Sequence, residues 1–159
     1  MPPPNLNNRL LPSIFDRLSD PDAMGTASAP GYDPREMMDS VRADLEELLN
    51  SRQAAGDIPK EYKEVRESIV AYGLPDLVTY DGASHEQCTD LAKMIGGVIA
   101  RFEPRLKNIR VTVVRGQQYD ARSVRFHIDA SLNVNPAPDV GFETVIELTT
   151  GRAKVTASG

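Results

Sequence analysis

At 159 residues with 40% hydrophobic content, the chain has material for one core of ordinary size and little room for two independent ones. Its 18 Lys+Arg against 23 Asp+Glu leave a net charge of -5, which disfavours a broad electrostatic grip on nucleic acid or anionic lipid and points to protein partners or a small ligand. The single cysteine, Cys88, excludes an intramolecular disulfide and reads as a small hydrophobe in a reducing compartment.

The N-terminal string Met1-Pro2-Pro3-Pro4-Asn5-Leu6 lacks the basic start and apolar run of a signal peptide. No later apolar stretch approaches the roughly 18 residues of a membrane span, so a soluble, cytoplasmic chain without direct membrane insertion is expected. Leu10, Leu11, Ile14, Phe15 and Leu18 form a short apolar patch with the makings of a helical turn or two, and Ser19 to Gly31 has the composition of a flexible connector. Residues 1–31 are therefore read as an arm and linker, and 32–159 as a single domain.

Asp33-Pro34-Arg35-Glu36 combines an aspartate cap, a proline at the first helical position and a glutamate three residues after the cap, which predicts a helix start. Met38, Val41, Leu45, Leu48 and Arg52 follow at helical spacing, their apolar members joined by Leu49 on one face. A second helix is predicted from Lys60 to Tyr72, with Tyr62, Val65, Ile69 and Tyr72 on one stripe and Gly73 as a left-handed cap. Ser84 and Gln87 form another capping pattern, and Cys88, Leu91, Ile95, Val98 and Phe102 carry a third helix to about Phe102. Inside it, Gly96-Gly97 predicts either close packing against a neighbour or a kink.

After Phe102-Glu103-Pro104-Arg105-Leu106 the apolar period changes from 3.6 to 2. Val124, Phe126, Ile128, Ala130, Leu132 and Val134 alternate with polar residues, the clearest strand in the chain. Ile109 to Arg115 reads as the strand before it, Phe142 to Thr149 as the strand after it, and Thr150-Gly151 as a turn into a short last strand, Arg152 to Val155. Helices first and strands after them predict an α+β domain, N-terminal helices packed on a small antiparallel sheet of about four strands.

Candidate chemistry is sparse. Glycoside hydrolysis needs two carboxylates about 5 to 9.5 Å apart across a sugar, and spacing supplies no partner for Glu103. The simpler reading is that Glu103 and Arg105 bracket Pro104 as an ion pair or cap that fixes the helix-to-strand corner; if buried, such a pair costs roughly 3 to 5 kcal/mol to break. His85 and His127 fall in different elements and read as solvated, so no metal and no cofactor are expected. Gly96-Gly97 lacks the spacing of a phosphate loop, and no serine lies in a nucleophile elbow. Arg42, Asp44, Glu46 and Glu47 read as a solvated helix face. Arg152 to Val155, if an edge strand, offers unpaired backbone groups to another chain, unless Lys154 and short length protect it.

Several strings together resemble the TssE baseplate proteins of bacterial type VI secretion systems: Pro12 to Leu18, Ser40 to Arg52, Tyr72-Gly73-Leu74-Pro75-Asp76, Phe102 to Leu106, Val134-Asn135-Pro136-Ala137-Pro138, and Phe142 to Arg152. The family is similar to the small wedge protein of contractile phage baseplates, lysozyme-like by name. The resemblance implies a structural, non-enzymatic part that joins larger wedge proteins of the TssF, TssG and TssK type and gives the contractile sheath its docking platform. It also implies a cytoplasmic site at the inner face of the cytoplasmic membrane, reached through the baseplate, and no nucleic-acid partner. Glu103, Pro104 and Arg105 carry the family signature as an assembly determinant, and strand exchange among sheath subunits implies strand addition at Arg152 to Val155. Two departures stand out: Ser19 to Gly31 matches nothing, and Glu143 stands where related chains often have aspartate. The alternatives are an anti-adaptor of the same fold that binds a response-regulator-like adaptor, and a peptidoglycan hydrolase. On this reading Arg105→Ala is expected to leave the domain folded and to impair sheath assembly.

Overall fold

A computed structural model of the chain describes residues 18, 32–54, 56, 58–59, 61–114, 122–134 and 137–158. Its contacts group into two compact units, residues 1–41 and 42–159, with the boundary inside the first helix. The apolar patch Leu10, Leu11, Ile14 and Phe15, the connector at 19–31, Lys60, Arg115, Asn135 and Pro136 lie outside the described residues.

Helix α1 spans Pro34–Asn50. Its start is the predicted reciprocal box: Asp33 Oδ1 accepts from the backbone N–H groups of Arg35 and Glu36 (2.8 and 2.9 Å), and Glu36 Oε2 accepts from the Asp33 N–H at 2.8 Å. Met37, Val41, Leu45, Leu48 and Leu49 are its buried residues, so the stripe begins one position earlier than the predicted Met38. The helix stops at Asn50, before Arg52, which instead forms an isolated parallel bridge with Leu74.

The expected second helix breaks in two. Helix α2 covers only Lys63–Glu67, a 3-10 turn follows at Ile69–Ala71, and Ser68 between them is extended. The Ser68 hydroxyl donates to the Val65 carbonyl at 2.7 Å and accepts from the Val70 N–H at 3.3 Å, satisfying backbone groups that a continuous helix would have used. β-branched Val65, Ile69 and Val70 add little helical preference to oppose it. The predicted stripe is therefore not buried: Tyr62 and Val65 are exposed and Ile69 is 85% exposed. Gly73 does adopt the left-handed conformation (φ 96°), and a Cβ there would lie 2.4 Å from the Ser51 carbonyl oxygen, a position only glycine can fill.

Helix α3, His85–Phe102, starts at Ser84, whose hydroxyl accepts from the Gln87 N–H at 3.4 Å, while Gln87 Oε1 accepts from the Asp81 N–H at 2.7 Å instead of from the cap's own N–H. Cys88, Leu91, Ile95, Val98 and Ile99 are buried along it. It continues unbroken through Gly96-Gly97. A Cβ at Gly96 would touch Val111 at 3.5 Å, whereas one at Gly97 would meet nothing within 4 Å. The contact at Gly96 is an ordinary van der Waals one that an alanine could make, so each glycine carries a helix cost of about 1 kcal/mol relative to alanine, Gly97 without an internal neighbour.

Strands β1 (Leu106–Val114), β2 (Ser123–Leu132), β3 (Asp139–Glu147) and β4 (Ala153–Ser158) form one antiparallel meander in chain order. The observed architecture is α+β, as expected. β1 starts three residues earlier than predicted because a bulge between Lys107 and Arg110, with Asn108 at φ 54°, absorbs an extra residue. Val124, Phe126, Ile128, Ala130 and Leu132 of β2 are buried together with Phe142, Thr144 and Ile146 of β3 and Ala153 and Val155 of β4. Val134 lies beyond β2. β3 begins and ends earlier than predicted and β4 runs on to Ser158, since the Glu147–Arg152 backbone bond and the left-handed Gly151 (φ 63°) close the turn between them. Helix α3 packs against β1.

Two substitutions test this core. Phe142→Ala is expected to cost about 3 to 5 kcal/mol of unfolding free energy in urea denaturation. Thr144→Val is expected to raise stability by about 1 kcal/mol, because the buried Thr144 hydroxyl has no hydrogen-bond partner and the methyl fits the same space.

Candidate functional site

The corner after α3 is built around one carboxylate. Glu103 caps the helix C-terminus, its N–H bonding to the Ile99 carbonyl at 2.8 Å, and is only 4% exposed. Pro104 cannot continue the helix, and the chain turns so that the Leu106 N–H returns to the Glu103 carbonyl at 3.2 Å. Two residues on, Arg105 folds back over the turn: Glu103 Oε1 accepts from its backbone N–H (3.1 Å) and its Nε (2.7 Å), and Oε2 accepts from Nη2 (2.5 Å). That same Nη2 also donates to Asp44 on α1. The corner's carbonyls are held from the far end of β2, where Asn133 donates its N–H to Arg105 at 2.6 Å and its side-chain amide to Pro104 at 3.1 Å.

Burial lowers the Arg105 pKa, but the hydrogen bonds and charges of Glu103, then of Asp44, outweigh it and hold the guanidinium above its ordinary range. It stays charged at any working pH. Beside this cluster, Tyr72 packs edge-on against Phe102 with ring centroids 5.3 Å apart. Partial burial raises its phenol above the ordinary value of 10.0, with the charges of Glu47, Asp44 and Glu103 adding to the shift.

The expected ion pair is thus a triad. Glu103, Pro104 and Arg105 come together with Asp44, and Asp44 is the member that sequence reasoning missed. Both Glu103 oxygens are committed to Arg105, so neither is free to protonate a leaving group; Asp44 lies close by but shares the same guanidinium. Two concavities, one on the sheet's polar face and one beside α3, are lined by other residues. His85 is exposed, and His127, on the polar face of β2, lies 3.1 Å from Asp129. Among the described residues no group of three or more His, Cys, Asp or Glu side chains is placed to hold a metal ion.

Arg152 and Val155 sit apart from this corner, at β4. As the last strand in the sheet order, β4 is an edge, and its outward backbone groups are occupied by α1. Asn50 accepts from the Ala153 N–H (3.0 Å) and donates to the Ala153 carbonyl (2.8 Å), making the two bonds an incoming strand residue would make. Glu46 Oε2 accepts from the Val155 N–H at 3.0 Å, and Arg42 approaches the Val155 carbonyl at 3.4 Å. The charged face read as solvated is therefore engaged: Arg42, Asp44 and Glu46 all bond within the domain. A signal existed in the i, i+4, i+8 row of Arg42, Glu46 and Asn50, though not the identity of what it meets.

The sequence family described as baseplate wedge protein gp25 matches residues 35–137, which takes in Asp44, the Glu103–Arg105 corner, β1 and β2 and ends just before β3. The chain belongs to this family. It is the domain family of the TssE proteins, the match takes in the strings Ser40 to Arg52, Tyr72 to Asp76 and Phe102 to Leu106, and a structural role in a baseplate follows. No curated protein and no solved structure matches the chain significantly. Among the described residues of this gp25-family chain, no helix is long and apolar enough to cross a membrane.

Because the triad is buried, a stability cost is expected of Arg105→Ala beside its effect on assembly. Removing the guanidinium leaves Glu103 uncompensated at 4% exposure, so Arg105→Ala is expected to cost about 3 kcal/mol or more in urea unfolding, and Asp44→Asn, at a 34% exposed side chain, about 1 kcal/mol or less. A second expected outcome concerns alkali. A folded pKa above the unfolded one means that Tyr72 contributes stability fully below pH 10.0 and loses it as pH rises through the raised value; unfolding midpoints of the parent should fall across that window more steeply than those of Tyr72→Phe.

Proposed function

We propose that this chain is the wedge subunit of a type VI secretion baseplate that joins the larger wedge proteins and presents the first docking surface to the contractile sheath. The observation that carries the reading is the Glu103–Arg105–Asp44 triad. It ties the end of α3, the start of β1 and the middle of α1 into one unit, so that a force or contact on the sheet is passed to the helices without hinge motion at the corner. A part without chemistry of its own needs this kind of rigidity. The corner acts as an assembly determinant through shape, by fixing where the sheet stands relative to α1 and α3. The protein works in the cytoplasm, at the inner face of the membrane to which the baseplate is attached.

Docking proceeds by strand addition at β4. Glu46 and Asn50 keep the place of the incoming strand at Ala153 and Val155, closing an edge that would otherwise pair with any exposed strand. The sheath strand exchanges these side-chain bonds for backbone ones, about 1 kcal/mol each for the Asn50 bonds and about 1.5 to 3 for that of the Glu46 carboxylate, so the exchange is driven by the remaining contacts of the partner.

Capture of the tagged chain from native lysate is expected to recover large wedge proteins and sheath subunits; recovery of a response regulator in their place would support the anti-adaptor alternative and sink the baseplate reading. For the edge, the double variant Glu46→Ala with Asn50→Ala is expected to assemble fluorescent sheath at least as fast as the parent and to self-associate when purified. Slower sheath assembly by a folded double variant would show that these side chains contact the sheath directly and do not merely hold its place.

A further inference from the structure

The face of α3 turned away from β1 carries Met94, Gly97, Val98 and Arg101 at i, i+3, i+4 and i+7, one continuous stripe along the helix. Across from it stand Arg66 and Pro75, and between them lies a groove of about 540 Å³. Among the described lining residues Met94, Val98, Pro75 and Ile58 are apolar, and the charged ones are Arg66 and Arg101. Among the described residues, the ion pairs use Arg42, Lys93, Arg105 and His127; Arg66 and Arg101 belong to none. Two guanidinium groups outside any ion pair thus flank one groove, Arg101 lying over the Phe102 ring at 5.9 Å from its centroid.

Gly97 makes the second, independent observation. It is an exposed glycine in the middle of an α-helix, it has a negative φ, and a Cβ on it would meet nothing within 4 Å. Neither backbone conformation nor internal packing requires glycine there. The remaining physical use of a missing side chain is to let another backbone come close to the helix from outside, and the groove is where it would come.

We infer that this groove docks an acidic, apolar peptide segment of another baseplate protein, its apolar side chains entering between Met94, Val98 and Pro75, its backbone passing over Gly97, and its carboxylates meeting Arg66 and Arg101. The identity of the partner as a baseplate protein rests on the function proposed above. A nucleic acid has no use for these apolar side chains and is repelled by the rest of the chain. The larger concavity on the sheet's polar face, about 860 Å³, mixes Arg110 with Asp129 and Asp139 and selects no charge. The groove does select one, and guanidinium forks match carboxylates in geometry as well as sign.

The test uses the full chain in cells that assemble baseplates. Gly97→Leu fills the groove from a position with open space around it, and leucine is the better helix former, so the purified variant is expected to melt at a higher temperature than the parent. In the same cells it is expected to recover the groove's partner about tenfold less well, as is Arg101→Glu, each removing one desolvated contact's worth of affinity. A photoreactive benzoylphenylalanine in place of Met94 is expected to cross-link to a baseplate protein at a segment with Asp or Glu beside apolar residues. Undiminished recovery of every baseplate protein by Gly97→Leu, or a cross-link to a basic segment, to nucleic acid or to lipid, overturns the groove while leaving the wedge reading intact. Failure of the parent chain itself to recover any baseplate protein overturns both.

Discussion

Arg105 binds two carboxylates that reach it from different parts of the chain, Glu103 from two residues before and Asp44 from 61 residues before. A carboxylate as buried as Glu103 is tolerated only when paired and fully hydrogen-bonded, and the planar guanidinium supplies that pairing in a fixed fork. The geometry of the fork then dictates the corner. With Pro104 stopping α3 and Asn133 holding the corner's carbonyls, the first strand of the sheet can leave the helix in one direction only, and α1 must pass close enough to offer Asp44. The placement of the helices relative to the sheet follows from this electrostatic requirement as much as from the apolar core.

The sheet has a second constraint, which comes from its edges. A four-stranded meander leaves β1 and β4 without an outer neighbour. At β4 the solution is side-chain mimicry: one asparagine makes the paired donor and acceptor bonds of a strand residue, and a glutamate two residues along the edge takes the next N–H. Such a cover satisfies the backbone without the commitment of a fifth strand. It also couples the edge to the corner, because Glu46 and Asn50 lie on the same helix as Asp44, within two turns of it. For a subunit whose family builds baseplates, a rigid corner and a covered edge on one helix are mutually supporting properties.

Much of this fold was legible in the residues themselves, and the boundary of legibility is physical. The start of α1, the start of α3, the end of α3 and the inward face of β2 were all readable because each is fixed by interactions within a few residues: Asp33 with Glu36, Ser84 with Gln87, Pro104 against its own preceding turn, and alternation along β2. The stretch 60–72 shows the limit of that logic. Its apolar residues stand at helical spacing, yet a single serine hydroxyl bonding to Val65 and Val70 outcompetes the helix, and Tyr62, Val65 and Ile69 of the stripe stand exposed. Periodicity states which residues share a face, not whether anything meets that face.

The sequence by itself determined the α+β class, the principal helix starts, the break at Pro104, the pairing of Glu103 with Arg105 and membership of the wedge family, since all of these reside in short strings whose chemistry is complete locally. The tertiary structure alone decided that Asp44 is the third member of the triad, that Glu46 and Asn50 cover β4, and that Gly97 opens on a groove rimmed by Arg66 and Arg101. A charged or amide side chain on a helix surface looks the same in sequence whether it faces water or a partner brought to it from many residues away. Only the folded arrangement supplies that partner, and with it the energy that distinguishes the two.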